Sequence, residues 1–260
     1  MPPLRLSLVL ASLLLLQAPL TSAAEAPTVL ITGSSRGIGL ELARQYAARG
    51  WNVIATARNP GKSQALQDLA KAHGNVTLEP LDVTNLAQID ALAARYKDKP
   101  VDVLLNNAGI SGADEMGSFG HLDYAVYDKV HAVNVIGPLK MAEAFLPSIE
   151  ASQQKKIINI SSTEGSIGLV RGRGGSYFYR SSKAALNMVM RSLSVDLKPK
   201  GITVGLVSPG LVRDDFTKGL DLPIMITPAQ SAAAVIKVID GYDLSKTGTF
   251  VRHTGVEAPW

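Results

Sequence analysis

The sequence predicts an α/β protein, a single domain built on a doubly wound, mostly parallel sheet of seven strands flanked by helices. Three observations predict it. Seven short runs rich in β-branched and aliphatic residues recur along the chain, and stretches with apolar residues three and four apart lie between them. The first run passes through a glycine-rich turn into the first amphipathic stretch. At 260 residues, 46% hydrophobic and 18% charged, the chain is long enough for one sizeable core, and no second domain, repeat or low-complexity tract is evident.

Residues 1–24 stand apart from that pattern. Arg5 precedes an apolar run over 6–16, followed by Gln17, Pro19 and the small-residue stretch TSAA ending at Ala24. This is the layout of a signal peptide cleaved after Ala24, leaving 25–260 as the domain. The run is about half of the ~20 residues that span a bilayer, so a permanent transmembrane segment is the weaker reading. A translation start nearer the domain is a further alternative. Export is therefore expected, to the periplasm if the source is bacterial; the alternative is a cytoplasmic protein, or one membrane-anchored through the N-terminal segment.

The strands are read at TVLIT (28–32), WNVIAT (51–56), VTLEPL (76–81), VDVLLN (101–106), KIINIS (156–161), ITVGLVS (202–208) and GTFVR (248–252). GLELARQYAARG (39–50), NLAQIDALAARYKDK (85–99) and SKAALNMVMRSLSVDLK (182–198) carry the helical period. The formal charge of +4 comes from dispersed basic residues, a solvated surface rather than a nucleic-acid footprint. With no cysteine, disulfides, thiol catalysis and cysteine-held metal are excluded. The four histidines have no close ligand spacing, so no metal site is expected. Met188 and Met190 are read as packing residues, and the sequon at Asn75 matters only for a eukaryotic secretory product.

TVLITGSSRGIGLELA places strand, glycine turn and helix in order, with Gly33 for a sharp turn and Gly37 and Gly39 where backbone approaches a pyrophosphate. Ser35, Arg36 and Ile38 complete this candidate dinucleotide cradle of Rossmann type. After the second strand, where an acidic residue would accept from an adenosine ribose, the sequence reads ATARNP. Arg58 and Arg36 offer two guanidinium groups to a 2′-phosphate, which favours NADP(H) over NAD(H).

In YFYRSSKAAL, Tyr179 is four residues from Lys183 and shares a helix face with it, whereas Tyr177 is turned away. A phenol of pKa ~10 needs about 4 kcal/mol of preferential phenolate stabilisation to reach ~7, which a nearby ammonium and a positive nicotinamide could supply. The motif does not stand alone: LLNNAGI ends the fourth strand, HAVNVIGPL follows, and NISSTEGS ends the fifth strand.

Over about residues 28–260 these motifs together resemble the short-chain dehydrogenase/reductase family. YRSSKAALNM, NVIGPLKMAEAFLP and GTFVRHTGVEAPW are most similar to its sniffer/C-factor-like carbonyl reductase branch. The resemblance implies an NADP-dependent oxidoreductase of the carbonyl reductase type, acting on a small aldehyde or ketone, or on the alcohol in reverse. It implies Tyr179 as general acid, Lys183 lowering its pKa and binding the nicotinamide ribose, and Ser162, rather than Ser161, on the substrate oxygen. Asn134 would hold a relay water. Asn106, Asn107, Ala108 and Gly109 would line the adenosine side with Asp82 and Val83 beside the adenine, and Pro209, Gly210 and Val212 would contact the nicotinamide. Packing between copies, as a homodimer or homotetramer, is also implied.

Two features depart from the family pattern. Ser162 and Tyr179 are seventeen residues apart, the extra length being the glycine-rich RGRGGS. After SPGLV the family commonly has Thr-Asp, whereas Arg213, Asp214 and Asp215 stand here, which puts the usual threonine contact to the nicotinamide amide in question. Two other classes of function remain beside the enzyme. A nucleotide-binding sensor would keep the fold but need no proton relay, and an interaction protein would use the helix after Tyr179 as a dimer face.

Overall fold

The computed structural model describes residues 25–113, 115–171 and 174–260. The signal-peptide reading of 1–24, and two residues of the glycine-rich insertion, lie outside the described residues. Seven strands form one sheet: β1 (Thr28–Ile31), β2 (Asn52–Ala57), β3 (Val76–Pro80), β4 (Val103–Asn106), β5 (Lys156–Ile160), β6 (Thr203–Ser208) and β7 (Phe250–Arg252). All pairings are parallel, in the order β3-β2-β1-β4-β5-β6-β7. The sheet is thus wholly rather than mostly parallel, because each connection crosses over through helical or coil structure.

The helices are α1 (Gly37–Ala48), α2 (Gln64–Ala72), α3 (Leu86–Arg95), α4 (Tyr124–His131), α5 (Gly137–Ala144), α6 (Leu146–Glu150), α7 (Tyr177–Leu197) and α8 (Pro228–Asp240). Successive residues of a strand point to opposite faces, and both faces here are covered. Val29, Ile31, Val53, Ala55 and Leu105 pack with Leu42 and Tyr46 of α1 and Val235 and Ile236 of α8. Leu30, Ile54, Leu104, Ile157 and Leu206 pack on the other side with Ile89 and Leu92 of α3, Met141 of α5 and Leu186 and Met190 of α7. The strands therefore read as continuous apolar runs, not alternating ones.

The order of strands reverses between β1 and β4, so the two following loops diverge and leave a crevice at the carboxyl edge of the sheet. Asp102 ties the opposite edge, accepting from the Thr28 backbone N–H at 2.9 Å and from those of Gln153 and Gln154 at 3.2 Å. Met190 is fully buried as expected, but Met188 is 68% exposed because α7 turns it away from the sheet. Asn75 donates its amide to the carbonyls of Ala47 and Trp51, so that sequon serves the α1–β2 turn. No described helix is long and apolar enough to cross a membrane.

Candidate active site

β1 ends on Ile31, and Thr32 and Gly33 open the glycine turn. Gly33 has φ +72° and Gly37 φ +56°, conformations that suit glycine. A Cβ on Gly33 would meet the Ala108 Cα at 2.9 Å, and one on Gly39 would strike the Gly33 carbonyl oxygen and, at 2.5 Å, the Asn107 amide nitrogen. The buried Thr32 hydroxyl accepts from the backbone N–H groups of Asn107 and Ala108, both at 3.0 Å. Asn107 donates its side-chain amide to the Thr32 and Gly33 carbonyls at 2.9 and 3.1 Å. Its side chain thus braces the turn, and Asn106 lies buried behind it, donating to Asn159.

The result is a tight, backbone-lined turn at the N-terminus of α1, a helix end whose N–H groups favour an anion. Gly39→Ala is expected to destabilise the protein by about 1–3 kcal/mol through overpacking; an unchanged Tm would show that the turn relaxes.

Ser35 holds the β2–α2 connection by accepting at its carbonyl from the Ser63 hydroxyl at 2.8 Å, and Ile38 is half-buried against the α1 side of the core. Arg58 follows β2 directly, is exposed, and makes no ion pair among the described residues. Arg36 pairs with Asp215 at 2.5 Å, with both side chains more than 70% exposed. Asp82 accepts from the backbone N–H and hydroxyl of Thr84, and Val83 is buried with its carbonyl close against Gly137. After β6, Pro209 accepts from Ser231, Gly210 has φ +89° against His253, and the buried Val212 bridges to Ile226.

Beside this cradle four polar side chains converge. Tyr179 and Lys183 lie one turn apart on α7, while Tyr177, at its start, packs its exposed ring against Phe119 at 5.9 Å. Lys183 is buried and donates from Nζ to the Ile160 carbonyl at 2.9 Å. Between α4 and α5 the helix widens into a π-turn over Ala132–Ile136, which sets the fully buried Asn134 inward. Its Oδ1 accepts from the Ile110 N–H at 2.9 Å, and its amide donates to the Ile110 carbonyl and the Ser182 hydroxyl, both at 2.9 Å. Gly109 lies between them: a Cβ there would be 3.4 Å from Asn134 Oδ1 and 3.7 Å from Lys183 Nζ.

The two serines after β5 are distinguished by orientation. Ser161 is buried and donates to Asn187 Oδ1 at 2.6 Å, behind α7. Ser162 is half-buried, accepts from the Glu164 N–H at 3.1 Å as the cap of a short turn, and lies by the Tyr179 hydroxyl.

Tyr179 is half-buried as a residue, but its hydroxyl end is enclosed. Burial pushes the phenol up to about 12; the Ser162 hydrogen bond acts in the other direction, and the charges of Glu164 and Asp214 add to the rise. Burial lowers Lys183 to about 8. The lowering of Tyr179 toward 7 expected from the lysine is thus not achieved by the protein alone. A desolvated ammonium 5.8 Å from the ring centre does not offset the loss of water around the phenol.

Spacing did not reveal Thr32, Ser182, Asn187 or Phe216, whose ring lies 5.4 Å from that of Tyr179. Only Ser182, three residues after Tyr179, had a local signal. A surface concavity at the opposite edge, lined by Thr28, Asn52, Asp102 and Gln153, contains none of these groups.

The fold is a doubly wound parallel sheet with these polar side chains at its carboxyl edge, and the family model for short chain dehydrogenase matches residues 27–222. The chain belongs to that family. It is 38% identical over 239 residues to 1-hydroxy-2-glutathionyl-2-methyl-3-butene dehydrogenase of Rhodococcus sp. (strain AD45), covering 90% of this chain and 99% of that one. An NADPH-bound carbonyl reductase from chicken fatty liver superposes with TM-score 0.83 at 34% identity, over 90% of this chain and 99% of its own. The carbonyl reductase Sniffer of D. melanogaster gives 0.82 at 32%, over 90% and 100%. The chain is thus similar to the branch that its motifs indicated.

Proposed function

We propose that the protein is an NADPH-dependent carbonyl reductase that converts a small aldehyde or ketone to its alcohol, or runs the reverse. The observation that carries this reading is the convergence of Ser162, Tyr179, Lys183 and Asn134 beside the glycine cradle. The bound cofactor would supply the hydride. Gly33, Ser35, Gly37, Ile38 and Gly39 would hold its pyrophosphate, Arg36 and Arg58 its 2′-phosphate, and Asp82, Val83, Asn107, Ala108 and Gly109 its adenosine. Pro209, Gly210 and Val212 would flank its nicotinamide end. The cradle supports this assignment because Gly33 and Gly39 let the backbone pack tightly at the N-terminus of α1, where added side chains would strike Ala108, the Gly33 carbonyl and Asn107, and NADPH is bound by the chicken-liver structure.

For carbonyl reduction the raised phenol suits its task. At neutral pH Tyr179 is protonated and donates its proton to the carbonyl oxygen as negative charge develops there. Ser162 donates a second hydrogen bond to that oxygen. Lys183 would stabilise the phenolate left behind, and Asn134, anchored by its amide to the Ile110 carbonyl, would hold the relay water that returns a proton through the lysine.

Ser162→Ala is expected to lower kcat/KM by about 10²–10³-fold, whereas Ser161→Ala chiefly lowers Tm because it leaves Asn187 without a donor. The reading is tested by NADPH consumption over a panel of aldehydes, ketones and quinones. Turnover with some of them supports it; tight NADPH binding with no turnover across the panel would favour a nucleotide sensor instead.

A further inference from the structure

The segment after β6 forms a flap over the crevice. Its base is tied by Arg213 N–H to the Ile226 carbonyl at 2.8 Å and by Ile226 N–H to the Leu211 carbonyl at 2.9 Å. Its tip, residues 214–217, is a capped turn in which Asp214 Oδ1 accepts from the Phe216 N–H at 2.9 Å. Three contacts hold this tip across the site. Phe216 lies on Tyr179, the Asp214 carboxyl oxygen Oδ2 sits 3.1 Å from where a Cβ of Gly37 would be, and Asp215 pairs with Arg36 at 2.5 Å.

The tip therefore sets one carboxylate against the glycine turn and a second on the guanidinium offered to a 2′-phosphate. A 2′-phosphate would compete with Asp215 for the Arg36 guanidinium, and a pyrophosphate at the glycine turn would meet the repulsion of the Asp214 carboxylate lying against Gly37. Asp214 is half-buried and its side chain is hydrogen-bonded only within its own turn, and burial raises its carboxyl above the usual carboxylate range.

We propose that Asp214 and Asp215 are specificity-determining residues that compete with the two phosphate groups of the cofactor, Asp214 against the pyrophosphate and Asp215 against the 2′-phosphate. The inference rests on the cofactor reading above. The flap must yield Arg36 when NADPH binds, and the protein holds NADPH less tightly, and prefers it to NADH less strongly, than its two arginines alone would allow. The pair thereby favours exchange of cofactor over retention.

The test is the Kd of the full chain for NADPH and NADH, read by cofactor fluorescence without substrate, in wild type, Arg36→Ala, Asp215→Asn and Asp214→Asn. Asparagine keeps the cap at 214, so folding is preserved. Asp215→Asn is expected to tighten NADPH about two- to fivefold, the modest effect of an exposed ion pair, and to leave NADH unchanged. Asp214→Asn is expected to tighten both cofactors, by about tenfold, since both carry the pyrophosphate. Weaker or unchanged NADPH binding in Asp215→Asn would overturn the Asp215 assignment and make that residue an orienting partner of Arg36; unchanged binding in Asp214→Asn would overturn the other. Failure of the underlying reading is distinguishable: wild type would bind neither cofactor, or Arg36→Ala would leave the NADPH to NADH ratio untouched.

Discussion

Tyr179→Phe is expected to lower kcat/KM for carbonyl reduction by about 10³-fold or more, near the upper part of what a positioned general acid contributes. The Kd for NADPH should change by less than about threefold. The substitution removes one oxygen and leaves the ring, which rests against Phe216 at 5.4 Å, so the fold and the crevice persist. Tyr177→Phe is the matched control. Its ring lies on Phe119 at the mouth of α7 and faces solvent, and activity should stay within about twofold of wild type. Steady-state kinetics of the two variants against one good substrate decides the matter. Comparable losses in both would mean that the pair works as an aromatic wall and that the proton comes from elsewhere.

Lys183→Met is expected to abolish turnover and yet raise Tm at pH 7. The lysine is buried, bonded to a backbone carbonyl rather than a carboxylate, and lowered from 10.5 to about 8 by loss of water. The folded state thus binds this proton less firmly than the unfolded chain. Between about pH 8 and 10.5 the unfolded chain holds the extra proton, so stability rises with pH through that window, and below about 8 the full cost is present. That cost is about 3 kcal/mol at pH 7, and leaving the buried Ile160 carbonyl without its donor offsets about 1–3 kcal/mol of the gain. A net gain of at most about 2 kcal/mol corresponds to at most about 4–8 °C in a domain of this size. Thermal unfolding of both proteins at pH 7 and pH 10 checks it, since the gap should narrow at the higher pH. A variant less stable than wild type at pH 7 would show that the ammonium is better solvated than its burial indicates. The same buried charge that costs stability is the one the proposed mechanism sets beside a phenolate.

Much of the fold was legible because its signals are local. β1 and α1 were bounded by a glycine turn, and every other strand by its apolar run, since burial on both faces leaves no polar alternation to mislead. α8 was not read from the sequence, although Thr227 and Gln230 cap each other's backbone at its start. Met188 was misjudged because helical spacing defines a face without saying how wide a stripe the sheet will cover.

By itself the sequence determined the parallel α/β class, the glycine cradle and the choice of Tyr179 over Tyr177. Each of these depends on the geometry of one element or one turn, and the 3.6-residue period settles which side chains share a face. Only the tertiary structure decided what lies across the crevice. It turned Ser161 to Asn187 and Ser162 to the phenol, drew Asn134 inward through a π-turn, and laid Asp214 and Asp215 on the glycine turn and Arg36. These contacts join residues up to 179 positions apart. The shifted acidities of Tyr179 and Lys183 follow from the same cause, because water is removed by neighbouring elements and not by neighbours in sequence.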